Sequence, residues 1–304
     1  LFGMWWLILF ITAFLSNLIG LLLSQSLNSV IAIYISIPML LIPQILLCGL
    51  VVSFSDLTPK STTGNVPVIG DIIPSRWAYE ALAVTSFTDN EYEKDLFELE
   101  KEKYENLYYN SVFLYELQSQ LETIKDEEKN GKEVKPEHME VIRTTLPLMA
   151  RCEGVNPYQG DYSYASLHQY MKETERHLVK EGNKATLNVD AQMAKMIREK
   201  GKETVLALKR DNCNLKLKDL VTGADQRRVI DIVYGHIVPR AGIVYLTPHN
   251  PWGRTPFYSS EKRLGNWHVK TLRFNLAVMG IMSIILAILL FTDCPGKYVR
   301  KEGY

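Results

Sequence analysis

LFGMWWLILFITAFLSNLIGLLLSQSLNSVIAIYISIPMLLIPQILLCGLVVSFS, residues 1–55, contains no Asp, Glu, Lys or Arg. A helix needs about 20 apolar residues to cross the hydrocarbon of a bilayer, so the run is too long for one span and right for two. SQSLNS at 24–29 supplies the break, because its hydroxyl and amide groups prefer the interface. One span is predicted over 4–23 and a second over 30–52, and so short a link makes them antiparallel neighbours. FNLAVMGIMSIILAILLF, inside 271–291, predicts a third. Trp5, Trp6 and Trp267 fall near predicted span ends, where indole rings sit well at headgroup level.

Outside these runs the composition inverts. Residues 89–270 hold 28 of the 34 basic and 29 of the 34 acidic residues, while 274–292 hold none. A soluble domain does not sort its charges this way, because each core segment needs polar cover nearby. The balance of 34 against 34 excludes a basic nucleic-acid binder, and 47% hydrophobic residues exclude a disordered chain. The fold class expected is an α-helical membrane protein: three spans, a re-entrant or interfacial segment, and a mostly helical extracytoplasmic insert with a small β element. The sections are 1–55 (two antiparallel spans), 56–90 (re-entrant segment), 91–268 (insert), 269–292 (last span) and 293–304 (tail). The chain opens on Leu1, with no basic leader or small-residue cleavage site; it reads as the C-terminal piece of something longer.

The second span carries Pro38 and Pro43, each deleting a backbone hydrogen bond, with Gln44 beside them. Two readings stand: a kinked helix in a bundle whose Gln44 bonds a neighbour, or a helix lining a translocation path. After it, Pro59, Gly64, Pro67, Gly70 and Pro74 break the chain into short pieces. SRWAYEALAVTSF at 75–87 follows as an amphipathic helix too short to span, suited to the membrane surface, with Arg76 and Glu80 at i, i+4.

This series resembles the last part of the membrane domain of an ABC exporter of the G-subfamily type, the drug and sterol exporters, and of their bacterial relatives. Cys48, Gly49, Leu50 and Val51 match the Cys-Gly step and apolar valve that end the penultimate span of that family. Trp77, Tyr79, Glu80, Ala81, Leu82 and Phe87 match its re-entrant helix, and FYSSEKRLGNWHVKTLRFNLAVMG is similar to the approach to the last span in Bacteroidetes-type members. The resemblance covers residues 1–90 and 255–295. It implies a homodimer in the inner membrane, with Ile42, Ile45, Leu50 and Val51 facing a central path. It also implies a nucleotide-binding domain, N-terminal or on a partner chain, holding ATP and Mg²⁺. Its closure would switch the two membrane halves between inward- and outward-open states. The tail with Lys297, Arg300 and Lys301 would then lie in the cytoplasm and residues 53–270 in the periplasm; charge alone leaves the orientation even. Two departures matter: the sequence has no GxxxxGK[ST] loop, and the last external loop is enlarged.

The insert opens with 91–124, free of Pro and Gly, which predicts one long helix. Leu107, Leu114 and Leu121, with Leu117 and Ile124 offset, form a coiled-coil seam. A helix over 137–149 completes a hairpin, SLHQYMKETERHLVKEG (166–182) and residues 189–200 predict two more helices, and VIDIVYGHIVPRAGIVYLTP (229–248) has the β-branched content of short strands. The six histidines, His138, His168, His177, His236, His249 and His268, show no zinc spacing, and no GxSxG elbow frames a nucleophile. Cys48 and Cys294 read as free packing residues. In an oxidising space, Cys152 and Cys213 would pair across 60 residues and stabilise the insert by about 3–4 kcal/mol. Two functions compete: the membrane portion of an exporter, or a membrane-anchored periplasmic interaction or mechanotransmission module across which no substrate moves.

Overall fold

The computed structural model describes residues 1–27, 29–226 and 228–292. Along the chain run α1 (Phe2–Ser26), α2 (Val30–Leu46), α3 (Phe54–Leu57), α4 (Val68–Asp71), α5 (Pro74–Thr88), α6 (Phe97–Tyr108), α7 (Tyr115–Lys129), α8 (Pro136–Thr145), α9 (Tyr164–Lys200), α10 (Lys202–Asn212) and α11 (Leu215–Thr222). Two hairpins follow, β1 (Ile230–Val233) with β2 (His236–Pro239) and β3 (Glu261–Leu264) with β4 (Trp267–Lys270), and then α12 (Thr271–Phe291). The chain divides into two compact units. One comprises residues 1–59, 65–89 and 248 onward; the other comprises 60–64 and 90–247.

In the first unit, α1 and α12 are long and apolar enough to cross a membrane, with mean hydropathy 2.3 and 2.5. The predicted second span is shorter than expected. Helix α2 stops at Leu46, at 17 residues, and the chain then turns at Gly49 with φ +90°. A Cβ there would lie 2.5 Å from the Phe257 ring and 2.9 Å from Phe54, so only glycine fits both the left-handed backbone and the space. Pro38 and Pro43 lie inside α2. Helix α5 begins with Pro74 at its first turn, where the missing N–H costs nothing, and buries ten of its fifteen residues. Ile8 and Leu15 of α1, Trp77, Ala78 and Ala81 of α5, and Met279 of α12 form the shared core.

The second unit is helical with one hairpin. Its core joins Leu117, Leu121 and Ile124 of α7, Ile142 of α8 and Leu167, Met171 and Leu178 of α9, with Leu146 and Met149 just beyond α8. The single helix predicted over 91–124 is interrupted by a π-helical stretch at Tyr109–Leu114. A π turn holds an extra residue, and each helical residue turns the face by about 100°, so the seam slips. Leu107 is consequently 53% exposed, and Tyr108, at 4%, takes the inward position. Residues 164–200 form one 37-residue helix, not two. The β1–β2 turn places Tyr234 and Gly235 at φ 47° and 74°, the two-residue turn that matches strand twist.

Cys152 and Cys213 are free thiols, which corrects the disulfide expectation. Cys152 packs in the core just described, whereas Cys213 packs beside Tyr92, Leu96, Met196 and Val205, in a separate cluster. Cys294 and the Lys297/Arg300/Lys301 tail lie outside the described residues. Residues 248–268, expected in the insert, belong to the first unit, with α1 and α12.

Candidate functional site

Two features of the first unit concentrate chemistry. The first surrounds Glu80, which is fully buried on α5. Arg76 sits one turn earlier on the same helix and donates from Nη1 to Glu80 Oε2 at 3.0 Å. Lys262, on β3 and 1% exposed, donates from Nζ to Glu80 Oε1 at 2.6 Å and to Thr255 Oγ1 at 2.7 Å. Asn275, in the first turns of α12, donates to Glu80 Oε2 and to the Trp77 carbonyl, each at 3.0 Å. One carboxylate thus ties α5, β3 and α12 together.

Arg76 extends the network. Its Nη2 donates to Asp71 Oδ1 at 2.6 Å and its Nε to the Gly70 carbonyl at 3.1 Å, while its guanidinium lies 3.4 Å from the Trp77 ring centroid. Arg254 Nε approaches Asp71 Oδ2 at 3.4 Å, and its Nη2 donates to the Val66 carbonyl at 2.7 Å. Taking ions out of water costs several kcal/mol each, and only good geometry with every lone pair engaged offsets it. Burial holds the Lys262 ammonium below its ordinary range, with the Glu80 carboxylate pulling the other way. The arrangement can fix the position of α5 against the last helix, and it offers no nucleophile.

The second feature is the exposed apolar surface of α2 and the turn beyond it. No residue of α2 is buried. Ile42, Ile45, Leu50 and Val51 are 55%, 57%, 56% and 58% exposed; the last two lie past the end of the helix. Gln44 is half-buried and bonds a neighbouring segment: its side-chain oxygen accepts from the Ser75 amide at 3.4 Å and its carbonyl from Ser75 Oγ at 2.7 Å.

Of the residues singled out from sequence, Arg76, Trp77 and Glu80 share one network. Tyr79 turns to an aromatic cluster with Phe257 and Tyr258, their ring centroids 6.2 and 6.3 Å away, and Phe87 is buried. Sequence reasoning missed Lys262, Asp71, Arg254, Thr255 and Asn275. The signal available was Glu80 itself, the one carboxylate between Trp77 and Thr88, in a helix whose neighbours are apolar. The β3–β4 hairpin was also missed, although Gly265-Asn266 between two short alternating runs marks a two-residue turn.

No phosphate-cradling loop occurs in the sequence, and among the described residues no three His, Cys, Asp or Glu side chains converge on a metal position.

In the second unit, Glu93 is 4% exposed, with Oε2 lacking a hydrogen-bond partner among the described residues. Burial, then the neighbouring Glu100 carboxylate, pushes it up to about 7, against Lys218, Lys209 and the Cys213 thiol.

No protein-family model, curated protein or solved structure matches the chain.

Proposed function

We propose that this chain supplies the closing part of the membrane domain of an ATP-driven exporter that moves an apolar or amphipathic substrate out of the cytoplasm. The observation that carries the reading is α2, an apolar helix with no buried residue, followed by a glycine turn that leaves Leu50 and Val51 exposed. In water such a surface would be costly. In a bilayer it is free to meet lipid or a second membrane half.

On this reading α1, α2 and α12 cross the inner membrane, α5 is the re-entrant helix, and the 90–247 unit stands in the periplasm. A second copy brings a facing α2, so that Ile42 and Ile45 line the path and Leu50 and Val51 close it to water. ATP and Mg²⁺ belong to a nucleotide-binding domain that these residues do not form. The Glu80 network holds α5 to α12 so that the turn after α2 has a firm backing through Phe257 and Phe54.

The test is Leu50→Ala with Val51→Ala in the full-length protein, reconstituted in proteoliposomes. The expected outcome is unchanged basal ATPase with loss of its stimulation by substrate. Unchanged basal and stimulated rates would remove the closing role. A second reading, a periplasmic interaction or mechanotransmission module, gains from the separate hydrophobic core of the 90–247 unit. A phosphate-binding loop encoded in frame before Leu1 favours export over it.

A further inference from the structure

The Glu80 network is the back wall of a recess of about 300 Å³ in the first unit. Asp71, Arg76, Arg254, Thr255 and Lys262 form its polar side; Trp77, Phe274 and Val278 form its apolar side, with Trp252 at the rim. We propose that this recess binds the phosphate of an anionic phospholipid, the acyl chains leaving along α12.

Charge comes first. The cations are Arg76, Arg254 and Lys262; the carboxylates in contact with them are Asp71 and Glu80. Three against two leaves one positive charge, the complement of a phosphodiester monoanion. Arg76 and Lys262 are spent on Glu80 and Asp71 and are nearly fully buried, so the charge available to a ligand is that of Arg254. Its side chain is 41% exposed, Nη2 donates to the Val66 carbonyl, Nε lies 3.4 Å from Asp71 Oδ2 without a hydrogen bond, and no described residue pairs with Nη1. A guanidinium oriented by one hydrogen bond and one ion pair, with a buried Nε–H that no protein acceptor takes up, is placed to receive a phosphate oxygen.

Shape and place come next. The recess is at the small end of ligand cavities, enough for a headgroup phosphate and the first carbons of its chains, not a whole lipid. Phe274 and Val278 lie in the first two turns of α12, so the apolar side opens along the helix that enters the hydrocarbon. Trp252 and Trp267 are 82% and 76% exposed, the placement of indoles at a headgroup layer. Gly253 donates its N–H to the Arg263 carbonyl at 2.8 Å, which pins the loop bearing Trp252 and Arg254 to β3. An amphiphile with its anion at Arg254 and its tail against Phe274 and Val278 satisfies both sides.

The inference rests on α12 lying in a bilayer, which is part of the reading above, and not on transport. Two measurements separate them. Flotation with pure phosphatidylcholine liposomes reports membrane seating alone. Native mass spectrometry of the full protein from neutral detergent then reports lipid retained after adding dioleoyl phosphatidylglycerol, dioleoyl phosphatidylcholine or inorganic phosphate. Phosphatidylglycerol should be retained about tenfold better than phosphatidylcholine, the worth of one good charged contact, and phosphate should not displace it. Arg254→Gln should bring retention down to the phosphatidylcholine level. Val278→Trp, which fills the apolar side and leaves every charge in place, should do the same if Arg254→Gln unfolds the protein. Equal retention of the two lipids by a protein that floats, or undiminished selectivity in both variants, would overturn the inference. Displacement by inorganic phosphate would reassign the recess to a soluble anion and overturn the lipid.

Discussion

The two units are built inside out relative to each other. In the first, the fully buried side chains include Arg76, Glu80, Lys262 and Asn275, while Trp6, Phe10, Ile31, Ile35, Met39 and Ile284 are more than half exposed. In the second, the core is apolar, with Leu117, Leu121, Ile142, Leu146, Leu167 and Met171 buried, and most charges face outward, Glu93 and Lys101 being buried exceptions. The same physics operates in both, since each face matches its surroundings. On the proposed reading, the apolar faces turned outward on α1 and α12 would match hydrocarbon, and the polar groups gather between helices and hairpin, where they bond one another. The 90–247 unit instead hides its methyl groups in a hydrophobic core.

The comparison is broken most sharply at Glu80. Glu80→Ala leaves Lys262 and Arg76 buried without their carboxylate and should cost about 3–5 kcal/mol, the range for one partner of a buried ion pair. Thermal unfolding in detergent measures it, and a loss below about 1 kcal/mol would mean that water reaches the pair. The matching change in the other unit is Ile142→Ala. Removing three carbons from a fully buried site should cost about 3 kcal/mol through lost transfer energy and the cavity left behind. The full chain should then lose the cooperative unfolding of the 90–247 unit before that of the first unit.

A smaller effect sharpens the contrast by pH. Glu93 titrates near 7 when folded against about 4.5 when unfolded, so the folded unit holds its proton more tightly. The stability this supplies is complete below about pH 4.5 and disappears as pH rises through about 7. After allowance for screening by Lys209 and Lys218, the loss should be on the order of 2 kcal/mol. Glu93→Gln should flatten the dependence between pH 5 and 8; an unchanged slope would assign it to other groups. The smallest effect on stability belongs to Leu50→Ala with Val51→Ala. Both side chains are more than half exposed, so melting should move by less than about 0.5 kcal/mol. That separates a role in function from a role in folding at these two positions.

How far each part was legible follows from the range of the forces involved. Helices α1 and α12 are announced by composition, because a long uncharged run has one stable place. The end of α2 is not. The apolar run continues to Val52, and the break at Leu46 comes from the Gly49 turn beneath Phe257, a contact across more than 200 residues. Leu107 fits a heptad on paper, and a π turn of backbone geometry moves it outward. Arg76 and Glu80 were visible at i, i+4. That the pair is buried depends on Lys262, which lies 182 residues from Glu80.

What the sequence determined unaided is the partition: apolar stretches at both ends, a charge-rich middle, and the β1–β2 strands, each encoded by residues close together along the chain. What only the tertiary structure decided is which charges are buried, where α2 stops, and that Cys152 and Cys213 lie in different cores. Those outcomes depend on partners distant in sequence, and local periodicity carries no information about which distant side chain will arrive to satisfy a buried group.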